Sequence, residues 1–136
     1  MRSKANSAPV PTLNVIGCGR AAGTLTKLWL EAGAVTTGAV LNRSRASSQR
    51  AVMNMGDGFA VDAVDAMPPA DYWLIGTGDD QIASVAQALA GAGVALNGAM
   101  VFHLAGRFGL DVLAPLRETG ALLAALHPVR SLTHAR

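Results

Sequence analysis

Cysteine is almost missing from this chain, with Cys18 alone in 136 residues. One thiol cannot build an internal disulfide framework or a zinc cluster of thiolates, and it suits a reducing cytoplasm. Aromatics are scarce at 4%, and charged side chains make up 15%. A net charge of +2 carries no excess for gripping a nucleic-acid backbone. The basic residues are scattered and have no aromatics among them for base stacking. No nucleic-acid partner is expected. No apolar run reaches the roughly 18 residues of a membrane span. Residues Met1 to Pro9 have no apolar core behind Arg2 and Lys4, so they do not read as a secretory signal. His103, His127 and His134 lack metal-ligand spacing and no carboxylate cluster accompanies them. A cytoplasmic chain without metal or membrane partner is the expectation.

Small aliphatic residues are plentiful, and hydrophobic types make up 51% of the chain. The length suits one domain with a proper core. Residues 1–11 are polar with two prolines and read as a disordered arm, which leaves 12–136 for the domain. From there, short apolar runs alternate with segments of helical period. Leu13 to Ile16 reads as a strand that enters Gly17-Cys18-Gly19. The helix that follows has Ala21, Ala22, Leu25, Leu28, Trp29 and Ala32 on one face and Gly33 at its end. Gly38 to Leu41 is a second strand, before a helix with Ala51, Val52 and Met55 inward. Phe59 to Val61 and Tyr72 to Ile75 are the third and fourth strands. Asp79 or Asp80 could cap a helix with Ile82, Val85, Ala86 and Leu89 inward. Ala99 to His103 and Ala121 to Leu126 complete six strands, with a helix through Leu110, Leu113 and Ala114 between them. Apolar strands that alternate with helices imply an α/β domain with a mostly parallel, doubly wound six-stranded sheet.

Gly17-Cys18-Gly19-Arg20-Ala21-Ala22 carries the most chemistry. It closes the first strand and opens the first helix, the context in which a G-x-G-x-x-G/A turn binds a dinucleotide. Gly17 permits the sharp turn, Gly19 leaves room for a pyrophosphate, and Ala22 lets helix and strand pack closely. The free N–H groups and positive dipole at the helix start would meet the phosphates. The plain alternative is a tight turn without a ligand, in which Cys18 is only a turn residue.

About 20 residues after such a turn, NAD-binding domains place a carboxylate on the ribose 2′-hydroxyl. Here the second strand ends in Asn42-Arg43-Ser44-Arg45 with no acid. Arg43 with Ser44, and Arg45 beside them, would instead bond to a 2′-phosphate. A charge-assisted hydrogen bond of about 1.5–3 kcal/mol implies roughly ten- to hundred-fold preference for NADP over NAD. The same missing acid argues against FAD and S-adenosylmethionine. The other reading of Arg43 and Arg45 is a pair of solvated loop charges.

The ordered series V-I-G-C-G-R-A-A-G-T-L (15–25), V-L-N-R-S (40–44), Y-W-L-I-G-T-G-D-D-Q-I (72–82), V-F-H-L-A-G (101–106) and A-L-H-P-V-R-S (125–131) resembles a particular group of bacterial proteins. These are Rossmann-like oxidoreductases that carry a C-terminal helical domain of unknown function. They are related to deazaflavin-dependent NADP reductases, pyrroline-5-carboxylate reductases and, more distantly, prephenate dehydrogenases. The resemblance implies a cofactor held by Gly17, Cys18, Gly19, Arg20 and Ala21, with Asn42, Arg43 and Ser44 on the adenosine phosphate. It puts Thr77 and Gly78 along the ribose and nicotinamide, and the His103 to Gly106 turn beside the reactive ring. Relatives tend to have proline at the position of Gly78 and serine at that of Ala105. The second departure removes a hydroxyl near the nicotinamide.

His103 and His127 end the fifth and sixth strands, at the edge where ligands of such sheets bind. Either imidazole could move the proton that accompanies hydride transfer, or could simply cap its strand on backbone. His134 reads as incidental. The resemblance also implies a helical domain that supplies much of the substrate site and the dimer contact, which this chain would lack; either the chain is a truncated or split gene product, with a homodimer or a partner chain supplying that domain, or its work is only to bind nucleotide. The expected function is the NADP(H)-binding domain of an oxidoreductase acting on a small molecule. Two alternatives are a non-catalytic nucleotide-binding module completed by a partner, and a methyltransferase fold using S-adenosylmethionine, which Asn42-Arg43-Ser44 disfavours.

Overall fold

A computed structural model describes residues 9–105 and 108–126. His127, His134, Gly106 and residues 1–8 of the expected arm lie outside the described residues. The strands are β1 (Thr12–Ile16), β2 (Thr36–Leu41), β3 (Phe59–Ala60), β4 (Tyr72–Ile75), β5 (Met100–His103) and β6 (Leu122–Ala125). The helices are α1 (Arg20–Glu31), α2 (Arg45–Met55) and α3 (Ile82–Gly91). All five strand pairings are parallel, and the order across the sheet is β3-β2-β1-β4-β5-β6. The doubly wound six-stranded sheet expected from the apolar runs is therefore present.

The central strands are apolar throughout because both of their faces are covered. Leu13, Val15, Trp73, Leu74, Ile75 and Val101 have no solvent exposure. One layer joins Trp73, Ile75 and Val101 to Ile82, Ala86 and Leu89 of α3. The other joins Leu13, Val15, Val40 and Leu74 to Ala22 of α1 and Ala51 and Met55 of α2. That second layer reaches β6 only through Ala124, which is partly buried. Beside α1 a hollow of about 270 Å³ is lined by Trp29, Tyr72, Met100, Phe102 and Leu126.

Several elements depart from the sequence pattern. The buried stripe of α1 runs through Ala22 and Thr26, whereas Leu28 is 56% exposed and Ala21 and Ala32 face solvent. Trp29 and Leu30 of α1 also pack on this layer, but only partly buried. Gly33, at φ +73°, follows the helix end as expected. No carboxylate caps α3. A 3₁₀ turn, Asp79–Gln81, follows Gly78 and hands over to the helix at Gln81, with no side-chain cap. The helix expected near Leu110 is a 3₁₀ segment, Leu110–Thr119, which contains Pro115. Its buried residues are Leu113 and Leu116, and a spacing of three is the repeat that such a helix presents on one face.

Candidate functional site

The chain order reverses between β1 and β4, because the connection from β1 runs to β2 on one side while β4 continues to β5 on the other. A crevice opens beyond the carboxyl ends at such a point. Here Gly17, Cys18, Gly19, Asn42, Arg43, Ser47, Gly76, Thr77, Gly78 and Gln81 line a cleft of about 260 Å³. Three separate parts of the chain thus meet: the glycine turn, the β2 end with the start of α2, and the β4 end.

The two glycines of the turn have different reasons to be glycine. Gly17 has φ +82°, and a Cβ there would overlap the backbone and side chain of Thr77. The fold itself requires it. Gly19 has φ −84°, and a Cβ there would have no atom within 4 Å. Nothing among the described residues needs residue 19 to lack a side chain, so the open space fits a ligand that presses on the backbone. Ala22 is buried, and a Cβ on Gly76 would sit 2.6 Å from both the Ala22 methyl and the Gly17 carbonyl oxygen. Small residues at 22 and 76 bring helix, turn and strand together.

Helix α1 begins with no side-chain cap and no acidic residue in its first turn. The N–H groups of Arg20, Ala21 and Ala22 have no carbonyl four residues back inside the helix. They form a natural anion cradle. The Gly19 N–H, by contrast, donates to Gly17 O at 3.0 Å. The Cys18 N–H donates to the Asn42 side chain. Burial pushes the Cys18 thiol pKa up from its ordinary value.

At the end of β2, Arg43 is exposed on the cleft rim. Ser44 caps α2: its Oγ accepts from the Ser47 N–H at 3.1 Å, and Ser47 reciprocates with Ser44. The start of a second helix therefore lies beside Arg43, adding its dipole for an anion there. Arg45 is diverted into an ion pair with Asp62. Asn42 points its side chain at the turn and α2, with Nδ2 donating to Ser47 O at 3.2 Å. Thr77 stands beneath Gly17, and its buried Oγ1 has no hydrogen-bond partner among the described residues. That orphaned hydroxyl at the cleft, together with the open Gly19, fits a polar ligand lying across the turn. Next to the cleft, Leu41, Val64, Val85 and Ala88 join Arg43 around an apolar slot of about 390 Å³. This slot was not legible beforehand. Val64 comes from the crossover between β3 and β4, and Val85 and Ala88 carry no signal apart from helical period.

His103 is fully buried at the end of β5. Its Nδ1 accepts the Ala105 N–H at 3.0 Å, which leaves the proton on Nε2 to be donated to Gly109 O at 2.9 Å. Both ring nitrogens thus hold the loop that leaves β5, the arrangement of a strand-end cap. The structure brings Gly17 to Ala22, Asn42 to Ser44, Thr77 and Gly78 into one region, with His103 engaged below the surface. Among the described residues no group of three histidines, cysteines or carboxylates could hold a metal. No helix among them is long and apolar enough to cross a membrane.

Residues 4–128 match the model of the Rossmann-like domain family. No curated protein sequence matches the chain. Among solved structures it is similar to a Bacteroides fragilis protein assigned as an NADP oxidoreductase, with a TM-score of 0.71 and 18% identity, covering 88% of this chain and 44% of the other. It is also similar to the arogenate dehydrogenase of Synechocystis (TM-score 0.70, 17% identity, 86% and 40% covered). A third is the imine reductase of Myxococcus stipitatus, solved with NADP+ (TM-score 0.64, 23% identity, 85% and 40% covered). At these identities the likeness is one of fold. The chain spans less than half the length of each of these proteins.

Proposed function

The chain belongs to the Rossmann-like domain family, and on that premise we propose that it binds a nicotinamide dinucleotide, NADP(H) in preference to NAD(H), as the cofactor domain of an oxidoreductase. The observation that carries the reading is Gly19, a glycine with ordinary φ and open space around it, beside the uncapped start of α1. The solved neighbours, including a reductase seen with NADP+, support the choice of ligand class.

In this reading the pyrophosphate rests on the N–H groups of Arg20, Ala21 and Ala22. Arg43 and the start of α2 take the 2′-phosphate, and the adenine enters the slot beside Val64 and Val85. Thr77 Oγ1 meets the ribose on the nicotinamide side, next to Gly78. The bound nicotinamide supplies hydride transfer; the protein contributes binding, orientation and exclusion of water. His103 positions the loop beyond β5 and is not assigned a proton transfer. His127 is proposed for that proton transfer, with a strand-end cap as its other reading. The small-molecule substrate is held against the nicotinamide by a further domain, a second copy or a partner chain. The rival reading, a cytoplasmic nucleotide-binding module without catalysis, is favoured by one observation: the groups described beside β5, His103 and Ala105, offer no free acid or base.

Calorimetric titration of the chain with NADPH and NADH tests the proposal. NADPH is expected to bind more tightly, and Arg43→Ala to weaken it roughly 10- to 100-fold while leaving NADH unchanged. Gly19→Ala should cost about 1 kcal/mol of stability or less, yet weaken both dinucleotides at least about ten-fold through its methyl. Absence of binding by the unmodified chain would sink the cofactor reading. Oxidation of NADPH with candidate imines or keto acids then separates enzyme from module.

A further inference from the structure

Family resemblance assigns Asn42 to the adenosine phosphate, but its side chain is turned elsewhere. Oδ1 accepts the Cys18 N–H at 2.5 Å, and Nδ2 donates to Ser47 O at 3.2 Å and approaches Cys18 O at 3.5 Å. Its backbone N–H donates to Ser48 Oγ at 2.7 Å, and the fully buried Ser48 hydroxyl donates in turn to Ser44 O at 3.1 Å. One residue earlier, Leu41 O accepts the Gly17 N–H at 2.8 Å.

We propose that Asn42 is a positioning residue, a latch that fastens the glycine turn to the start of α2 so that the pyrophosphate cradle is set before binding. The proposal rests on the dinucleotide reading above and adds to it a residue that touches no phosphate. An amide suits this place because it presents an acceptor to one partner and donors to others at the same time. A carboxylate offers no donor for Ser47 O, and an alanine leaves the Cys18 N–H and the Ser47 carbonyl without their bonds. The latch also decides which N–H groups remain for ligand. With those of Cys18 and Gly19 already bonded, the anion is steered onto Arg20 and Ala21. Holding that cradle in place before binding avoids an ordering cost at the pyrophosphate, and since every dinucleotide carries a pyrophosphate this benefits all of them alike. A direct phosphate contact would benefit NADPH alone.

The two roles separate in a titration of NADPH and NADH against the unmodified chain, Arg43→Ala, Asn42→Ala and Asn42→Ser. The serine variant, too short to reach both Cys18 and Ser47, is carried in case alanine does not fold. The latch predicts that either Asn42 variant weakens both cofactors by the same factor, about ten-fold, with the NADPH-to-NADH ratio unchanged. Arg43→Ala changes that ratio. Amide hydrogen exchange supplies a second readout: at Cys18 it should quicken at least about ten-fold, with the β5 amides unaffected. A loss confined to NADPH, unchanged affinity for both, or faster exchange throughout the sheet would each overturn the proposal. Failure of the unmodified chain to bind either dinucleotide overturns the cofactor reading, and the latch with it, before any variant is considered.

Discussion

At the scale of single residues, the site is built as much from constraint as from contact. Gly17 is glycine for the sake of the backbone, Gly19 for the sake of open space, and Cys18 between them has its N–H bound and its thiol half-buried. Burial raises the thiol pKa, so at neutral pH the reactive thiolate is rarer than on an exposed cysteine. Labelling of Cys18 by iodoacetamide should therefore be slow near pH 7.5 and gain with alkali at a higher pH than for a free thiol. Mass spectrometry of this one-cysteine chain would follow it, and labelling as fast as that of a model thiol at pH 7.5 would contradict the assignment. The glycines and Arg43 were legible because their residue types are themselves the signal. The direction of Asn42 was not, since an amide two bonds from the main chain can serve a ligand or its own fold. The two hydrogen bonds of His103 were equally hidden, because they depend on where Gly109 returns.

The elements show where periodicity succeeds and where tertiary structure overrides it. All six strands lie where the apolar runs put them, to within two residues at each end. Inside β1, however, Asn14 is fully buried. Its Oδ1 accepts the Ala39 N–H at 2.9 Å across a shift in the β1–β2 register, and its Nδ2 donates to Pro68 O at 2.8 Å. A Cβ on Gly38 would sit 2.5 Å from that oxygen, so the strand opposite makes room for the amide. Asn14→Ala should cost roughly 1–3 kcal/mol for each group it orphans. Denaturant unfolding should show a lower midpoint with an unchanged slope. A loss under about 0.5 kcal/mol, the usual size for a surface change, would mean that the bonds carry little. No sequence pattern distinguished this asparagine from its apolar neighbours. The misjudged face of α1 has a similar origin: the helix period was right, but the width of the buried stripe depends on what packs against it.

Over the whole molecule, the layer that contains α1 and α2 leaves the β5–β6 half of the sheet partly open. Leu126, at 36% exposure, lines the hollow there together with Trp29, Met100 and Phe102. Apolar surface of this kind binds environment-sensitive dyes. The folded chain should therefore enhance the fluorescence of anilinonaphthalene sulfonate, and Leu126→Glu should lower that signal while shifting stability by about 0.5 kcal/mol or less. An unchanged signal would place the dye elsewhere.

The strand order has a kinetic consequence as well. β1 is flanked by β2, close behind it in the chain, and by β4, whose Tyr72 pairs with Leu13. Pairing with β2 requires only the short excursion through α1. Docking β4 must close a far longer loop before any contact rewards it, which is the slow kind of step in folding. Until that step, Gly17 has no Thr77 beneath it and the crevice does not exist. Competence to bind should therefore emerge late in refolding, in one concerted event. A dinucleotide added from the start would hold the finished state without hastening its arrival.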